Sequence, residues 1–313
     1  MEAKYSFMHA LENNNMVELR KIPKADLHAH SWSSGCRQFI FEKTGRWIEP
    51  IKHKLVSLHE MDPLSNEVQG NSFNDYENYK ILVEAIFVQA CNDGVTLICI
   101  GESTGTVKKN YNDDMDLYVS TWMGSRRYAP NTKHLFQIGF VRHKPIDIQL
   151  EKAAKFFDRD CFAAIDLYGD EFTEPIEKFK PVFRKAKNKG MILRAHVGEF
   201  GTADDIWRAV EELELDEVQH GIAAASSTQV MNYLANNNIR LNICPTSNII
   251  LNRVDSLINH PIRKLFDNGV KVTVNTDNLL IFGNTLSQEF MTLYDCGLFS
   301  AEELNTIREN SFI

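Results

Sequence analysis

The chain has 313 residues, 43% of them apolar and 24% charged, which suits a large α/β core and excludes long disordered tracts. The formal net charge is −8, from 34 basic and 42 acidic residues, and no basic cluster of five occurs. A small-molecule ligand is therefore expected and a nucleic-acid partner is not. Six scattered cysteines without a CxxC pair read as free thiols in a reducing compartment. The first residues lack an apolar h-region and no run approaches 18 apolar residues, so a cytoplasmic protein is expected, with no signal peptide and no membrane span.

Eight β-rich runs follow one another, over residues 25–30, 95–102, 134–143, 162–169, 191–199, 217–222, 239–248 and 271–278. Amphipathic stretches such as 175–188 and 203–213 separate them. Gly punctuates the helix-to-strand passages at Gly94, Gly190 and Gly269. Strict alternation predicts a parallel sheet. Eight units predict one domain over 1–313, a (β/α)8 TIM barrel, although the count alone also allows an open doubly wound sheet. The connection from 31 to 93 is long and carries a helical stretch over 73–91. It reads equally as a functional lid or as a decorative insertion after strand one.

Chemistry-bearing residues gather at the predicted strand ends, where a barrel of this type places its active site. Strand one ends in His28-Ala-His30, and residues i and i+2 of a strand face the same side, as in a two-imidazole metal grip. Strand five ends in His196-Val-Gly-Glu199: His196 offers a third nitrogen, Gly198 a sharp turn, and Glu199 a carboxyl over the mouth, read as a proton carrier. Arg194 has the parity of His196, so it is expected to point inward, with Asp166 on strand four as its partner. His220-Gly221 ends strand six, where a lone His by itself reads as structural. Cys244-Pro-Thr-Ser-Asn248 reads as a turn that shapes the rim and holds neighbours by hydrogen bonds, with no chemistry assigned. Asn275-Thr-Asp277-Asn278 ends strand eight, and Asp277 completes a set of three His and one Asp.

In these stretches, together with Ile165-Asp-Leu-Tyr-Gly169-Asp-Glu171 and the closing segments 303–307 and 310–312, the chain resembles the adenosine deaminase branch of the amidohydrolase superfamily. The likeness runs in order from residue 22 to the end. It implies one Zn²⁺ held by His28, His30, His196 and Asp277. It further implies that Glu199 protonates a ring nitrogen, that His220 orients and stabilises the attacking hydroxide, and that the Gly169 backbone meets a second ring nitrogen. The implied activity is hydrolytic deamination of an aminopurine nucleoside or base. Fe²⁺, Co²⁺ or Mn²⁺ would fit the same ligands.

The chain departs from the family at two substrate contacts. Trp32 stands where the family has an Asp that holds a sugar hydroxyl, so its ring either fills the sugar's place or stacks on the substrate. Asn278 stands where a second Asp meets a purine nitrogen, and its NH2 is able to donate there. Strand two ends in Gly101-Glu102-Ser103, without the family's usual nearby Arg and Pro. Two other functions compete. One is an amidohydrolase acting on another amino-heterocycle or an amide; the binuclear members bridge two metals with a Lys at the end of strand four, which this chain lacks. The other is a metal-binding pseudoenzyme, against which the intact set of Glu199, His220 and Asp277 argues.

Overall fold

The computed structural model describes residues 2–65 and 73–312. Its centre is an eight-stranded parallel sheet in sequential order: β1 (Lys24–His30), β2 (Val95–Ser103), β3 (Lys133–Val141), β4 (Phe162–Tyr168), β5 (Ile192–Val197), β6 (Glu217–His220), β7 (Arg240–Ile243) and β8 (Val272–Val274). Helices alternate with the strands, as the sequence predicts. The expected helix over 203–213 forms as Ala203–Leu213, with Thr202 and Asp205 closing a capping box at its start. The stretch 175–188 divides into a 3-10 turn, Ile176–Phe179, and a helix, Lys180–Asn188, with Pro181 in its first turn.

The sheet curls until β8 reaches β1. The join is made beyond the end of β8: the His30 N–H donates to the Asp277 carbonyl at 3.2 Å, and the Asp277 N–H to the His28 carbonyl at 2.9 Å. The backbone that closes the barrel is thus the backbone of three predicted site residues. Closure carries the Asp277 side chain to the two imidazoles of β1.

The later strands are shorter than expected at their C-terminal ends, for local reasons. Pro245 opens a helix, Pro245–Ile250, so β7 stops at Ile243. His220 and Asp277 adopt left-handed backbone (φ 60° and 58°), which takes both out of extended geometry as β6 and β8 finish. β6 ends on His220 itself, and Asp277 follows β8 after a short connection.

Within the long connection, a helix Arg37–Thr44 and a helix Tyr76–Asn92 pack on one another and on the barrel. The second buries Leu82, Val83 and Phe87 and is capped by Asp75. Residues 66–72 of this connection lie outside the described residues. All six cysteines are free thiols. Among the described residues, no helix is long and apolar enough to cross a membrane.

The barrel interior carries a polar layer. Arg194 is fully buried and points inward, as its parity predicts, but its partner is not Asp166. Its Nε donates to Glu217 on β6 at 2.7 Å, and its Nη1 to Gln137 Oε1 at 2.9 Å and Cys99 Sγ at 2.6 Å. Arg194 stands in register with Asp166 on one side and Glu217 on the other. Glu217 takes the guanidinium because Asp166 is engaged elsewhere, by His196 Nδ1 and by Gln137 Nε2, each at 3.2 Å.

Candidate functional site

A cavity of about 140 Å³ opens at the C-terminal end of the barrel. Eight of the nine predicted site residues line it: His30, Trp32, Gly169, His196, Glu199, His220, Asp277 and Asn278. The ninth, His28, is 1% exposed and lies beneath, its ring 4.6 Å from that of His196 and 4.5 Å from that of His220. Tyr168, Met61 and Leu251 complete the lining. A wider hollow of about 620 Å³ lies at the strand starts, around Met191 and Lys271, and gathers no histidine.

The donor set suits a metal ion. Ring nitrogens of His28, His30 and His196 lie within 4.8 Å of one another. The His28 Nδ1–H points to the Asn242 carbonyl at 3.3 Å, which turns Nε2 into the cluster, and that nitrogen is buried with no hydrogen-bond partner. An unpartnered buried imidazole nitrogen is costly unless something coordinates it. The His196 Nδ1–H donates to Asp166 at 3.2 Å, leaving its Nε2 for the cluster in the same way. Asp277 Oδ1 is 3.3 Å from His30 Nε2 and 3.7 Å from His28 Nε2. Its other oxygen accepts from Ser247 Oγ at 2.6 Å. Burial, and then the neighbouring His196, hold His28 neutral, its pKa pushed down to about 3, as ligation requires.

Glu199 and His220 face each other across the cavity, Oε2 to Nε2, at 3.5 Å. Burial raises the Glu199 pKa well above its usual value, and the negative charges of Asp277 and Glu171 add to the rise, which favours the protonated form. Asn248 joins the pair: its Nδ2 lies 3.2 Å from Glu199 Oε1 and 3.2 Å from His220 Nδ1. An amide N–H only donates, so His220 Nδ1 accepts and the ring proton sits on Nε2, facing Glu199. Burial also drives the His220 pKa well below its usual value.

The two departures from the family pattern lie side by side. Ser33 Oγ hydrogen-bonds Asn278 Oδ1, and Asn278 Nδ2 donates one proton to Asp277 Oδ1 at 2.6 Å. The second amide proton of Asn278, which lines the cavity, is left for a ligand. Trp32 sits between two buried serines. Ser33 is tied to Asn278, while Ser31 Oγ meets Tyr79 Oη at 3.2 Å, which in turn donates to Glu102 at 2.6 Å. The Glu102 that replaces the family's usual end of strand two therefore buttresses the Trp32 turn.

Three residues support the site from outside the expected ligand and substrate set: Asn248, Asp166 and Glu171. The turn that carries Asn248 is expected to hold neighbours by hydrogen bonds and does so, Asp166 is expected to pair with Arg194 and does not, and Glu171 carries no expected task. Asp166 has inward parity two residues from the end of β4, and that was the available sign of a partner for an imidazole. A turn rich in Pro, Thr, Ser and Asn marks hydrogen-bonding capacity but not which neighbours it holds.

Comparison with known proteins agrees with this geometry. The adenosine deaminase family model matches residues 123–312. A putative adenosine/adenine deaminase of Treponema pallidum is 33% identical over 293 residues, covering 92% of this chain and 98% of that protein. Among solved structures, the adenine deaminase of Arthrobacter aurescens shares the fold with a TM-score of 0.80 and 24% identity, over 92% of each chain. An amidohydrolase of Burkholderia ambifaria with bound Zn shares it with a TM-score of 0.75 and 21% identity, over 99% of this chain and 87% of the other.

Proposed function

This chain belongs to the adenosine deaminase family and is a hydrolase of C–N bonds, and we propose that it deaminates an aminopurine with one Zn²⁺, converting aminopurine and water to oxopurine and ammonia. One observation carries the reading: a buried carboxyl, Glu199, faces His220 at 3.5 Å in a cavity that holds a cluster of three His and one Asp, and burial pushes its pKa up. His28, His30, His196 and Asp277 would hold the metal, the set in which the unpartnered His28 nitrogen gains a partner. When bound, Zn²⁺ supplies a hydroxide nucleophile at neutral pH by lowering the pKa of water to about 7.

The chain's own groups do the rest. Glu199 delivers a proton to the ring nitrogen beside the carbon under attack, so negative charge does not accumulate on the ring. A positioned acid of this kind contributes roughly 10²–10⁴-fold. His220, its proton fixed on Nε2 by Asn248, orients the nucleophile and steadies its charge. The Gly169 backbone and the spare Asn278 proton read two further positions on the purine edge. Met61 and Leu251 give the cavity apolar lining, which would limit water around a bound ring.

A free base suits this cavity better than a nucleoside. Its lining carboxylates, Glu199 and Asp277, are committed to acid chemistry and to the metal cluster. The described residues leave Trp32 with Met61 and Leu251, and no carboxylate, to receive a sugar. The test is ammonia release by the zinc-loaded protein from adenine, adenosine and a panel of aminopyrimidines. Adenine should be turned over fastest, and Trp32→Asp should gain activity on adenosine. Failure on every purine by fully metal-loaded protein would overturn the reading in favour of another amino-heterocycle.

A further inference from the structure

Glu171 lies on the loop that follows β4 and is 7% exposed. Its carboxylate accepts three consecutive backbone N–H groups from the loop after β5: Gly198 at 2.7 Å on Oε2, and Glu199 at 3.0 Å and Phe200 at 2.8 Å on Oε1. Successive N–H groups converging on one point form an anion-binding concavity, and here the anion belongs to the protein. We propose that Glu171 is a positioning residue that fixes the Glu199 carboxyl relative to the Gly169 backbone. The proposal rests on the deaminase reading of the cavity given above.

The argument is one of connectivity. Gly169 and Glu171 are two residues apart on one loop, while Glu199 stands on the next. The two loops carry the groups proposed to meet two different ring nitrogens, and the Glu171 carboxylate fastens one loop to the other. The fastened turn has little freedom elsewhere. Gly198 holds φ at 71°, and a Cβ there would lie 2.3 Å from Ile206 Cδ1. Beyond it, a Cβ at Gly201 would lie 2.8 Å from Glu171 Oε2. The acceptor must be a carboxylate, since both oxygens receive N–H groups and a carboxamide would turn its own NH2 against one of them. Reactions of this kind tolerate little displacement, a misplacement of about 1 Å costing on the order of 10²-fold.

A buried group with a purely structural task would lower stability and leave the turnover of each folded molecule unchanged. A positioning group lowers kcat while KM and metal content hold, because the substrate and the metal are bound by other residues. The test compares the zinc-loaded wild type with Glu171→Gln and Gly201→Ala, on adenine and on adenosine, reading kcat, KM, metal content and thermal midpoint. Glu171→Gln should lose roughly 10²-fold in kcat, with KM and bound metal at wild-type values. Gly201→Ala keeps the charge but displaces the carboxylate, and should lose less in the same direction. Wild-type kcat in folded Glu171→Gln, or a fall confined to KM or thermal midpoint, overturns the positioning role. If Glu171→Gln does not fold, Gly201→Ala decides: reduced kcat at constant KM and metal supports the role, and unchanged kcat overturns it. A wild type that releases ammonia from neither purine removes the deaminase reading and this role with it. An active wild type beside an unaffected variant removes this role alone.

Discussion

Replacing Asp166 by Asn should weaken metal binding without emptying the site of its ligands. Asp166 is 1% exposed and holds His196 through Nδ1 at 3.2 Å, while its other oxygen accepts from Gln137 Nε2 at 3.2 Å. Gln137 Oε1 in turn accepts from Arg194 Nη1 at 2.9 Å. An Asn at 166 keeps the shape but can offer only one oxygen. If it offers that oxygen to His196, its NH2 faces the Gln137 NH2. Should Gln137 then flip, its NH2 faces the Arg194 guanidinium. One buried donor is left unmet in either arrangement, at a cost of about 1–3 kcal/mol.

The lost carboxylate also makes His196 a poorer base. Removing a partner that orients a metal-binding His typically costs 10–100-fold in metal affinity, about 1.4–2.7 kcal/mol. Competition with a chelator of known zinc affinity reads this directly, and elemental analysis after dialysis checks occupancy. Wild-type zinc affinity in a folded Asp166→Asn protein would refute the reasoning, since it would mean that the His196 orientation is set by packing and not by the carboxylate.

Arg194→Met should destabilise the fold by about 3–5 kcal/mol, because Glu217, also buried, loses a charged partner. Denaturant unfolding measures this, and a change under about 1 kcal/mol would show that Arg240 and Asn242 suffice to hold Glu217. Asn248→Ala should lower kcat on the order of 10²-fold at unchanged metal content, by freeing the His220 tautomer and the Glu199 carboxyl together. Steady-state kinetics with parallel metal analysis decides it, and an intact kcat would return Asn248 to a rim residue.

The barrel was legible because each of its units is local: a β-rich run, an amphipathic stretch and a Gly stop are read within some thirty residues. The chemistry-bearing residues were legible for the same reason, since they stand at the ends of those runs. Their supports were not. Asp166 meets His196 across thirty positions, Asn248 meets Glu199 across forty-nine, and Glu217 meets Arg194 across twenty-three. Parity placed Arg194 inside correctly, but it gave no way to choose between two acidic neighbours in register on either side. That choice depended on what else each carboxylate was holding.

The early strand ends follow from the same demands. His220 and Asp277 each pair with the neighbouring strand, and at each the chain must turn out of its strand direction at the barrel mouth. Left-handed backbone achieves this at a cost of about 1–2 kcal/mol per residue for a side chain with a Cβ. At Asp277 the cost is offset by the two backbone hydrogen bonds that close the barrel and by the bond from Ser247. At His220 the ring is held by Asn248 from the turn after β7. Strain of this kind persists only where neighbours over-determine it. The Pro245 turn therefore does more than finish a strand. By stopping β7 at Ile243, it brings Ser247 and Asn248 round to hold Asp277 and His220, the two residues in left-handed backbone at the cavity.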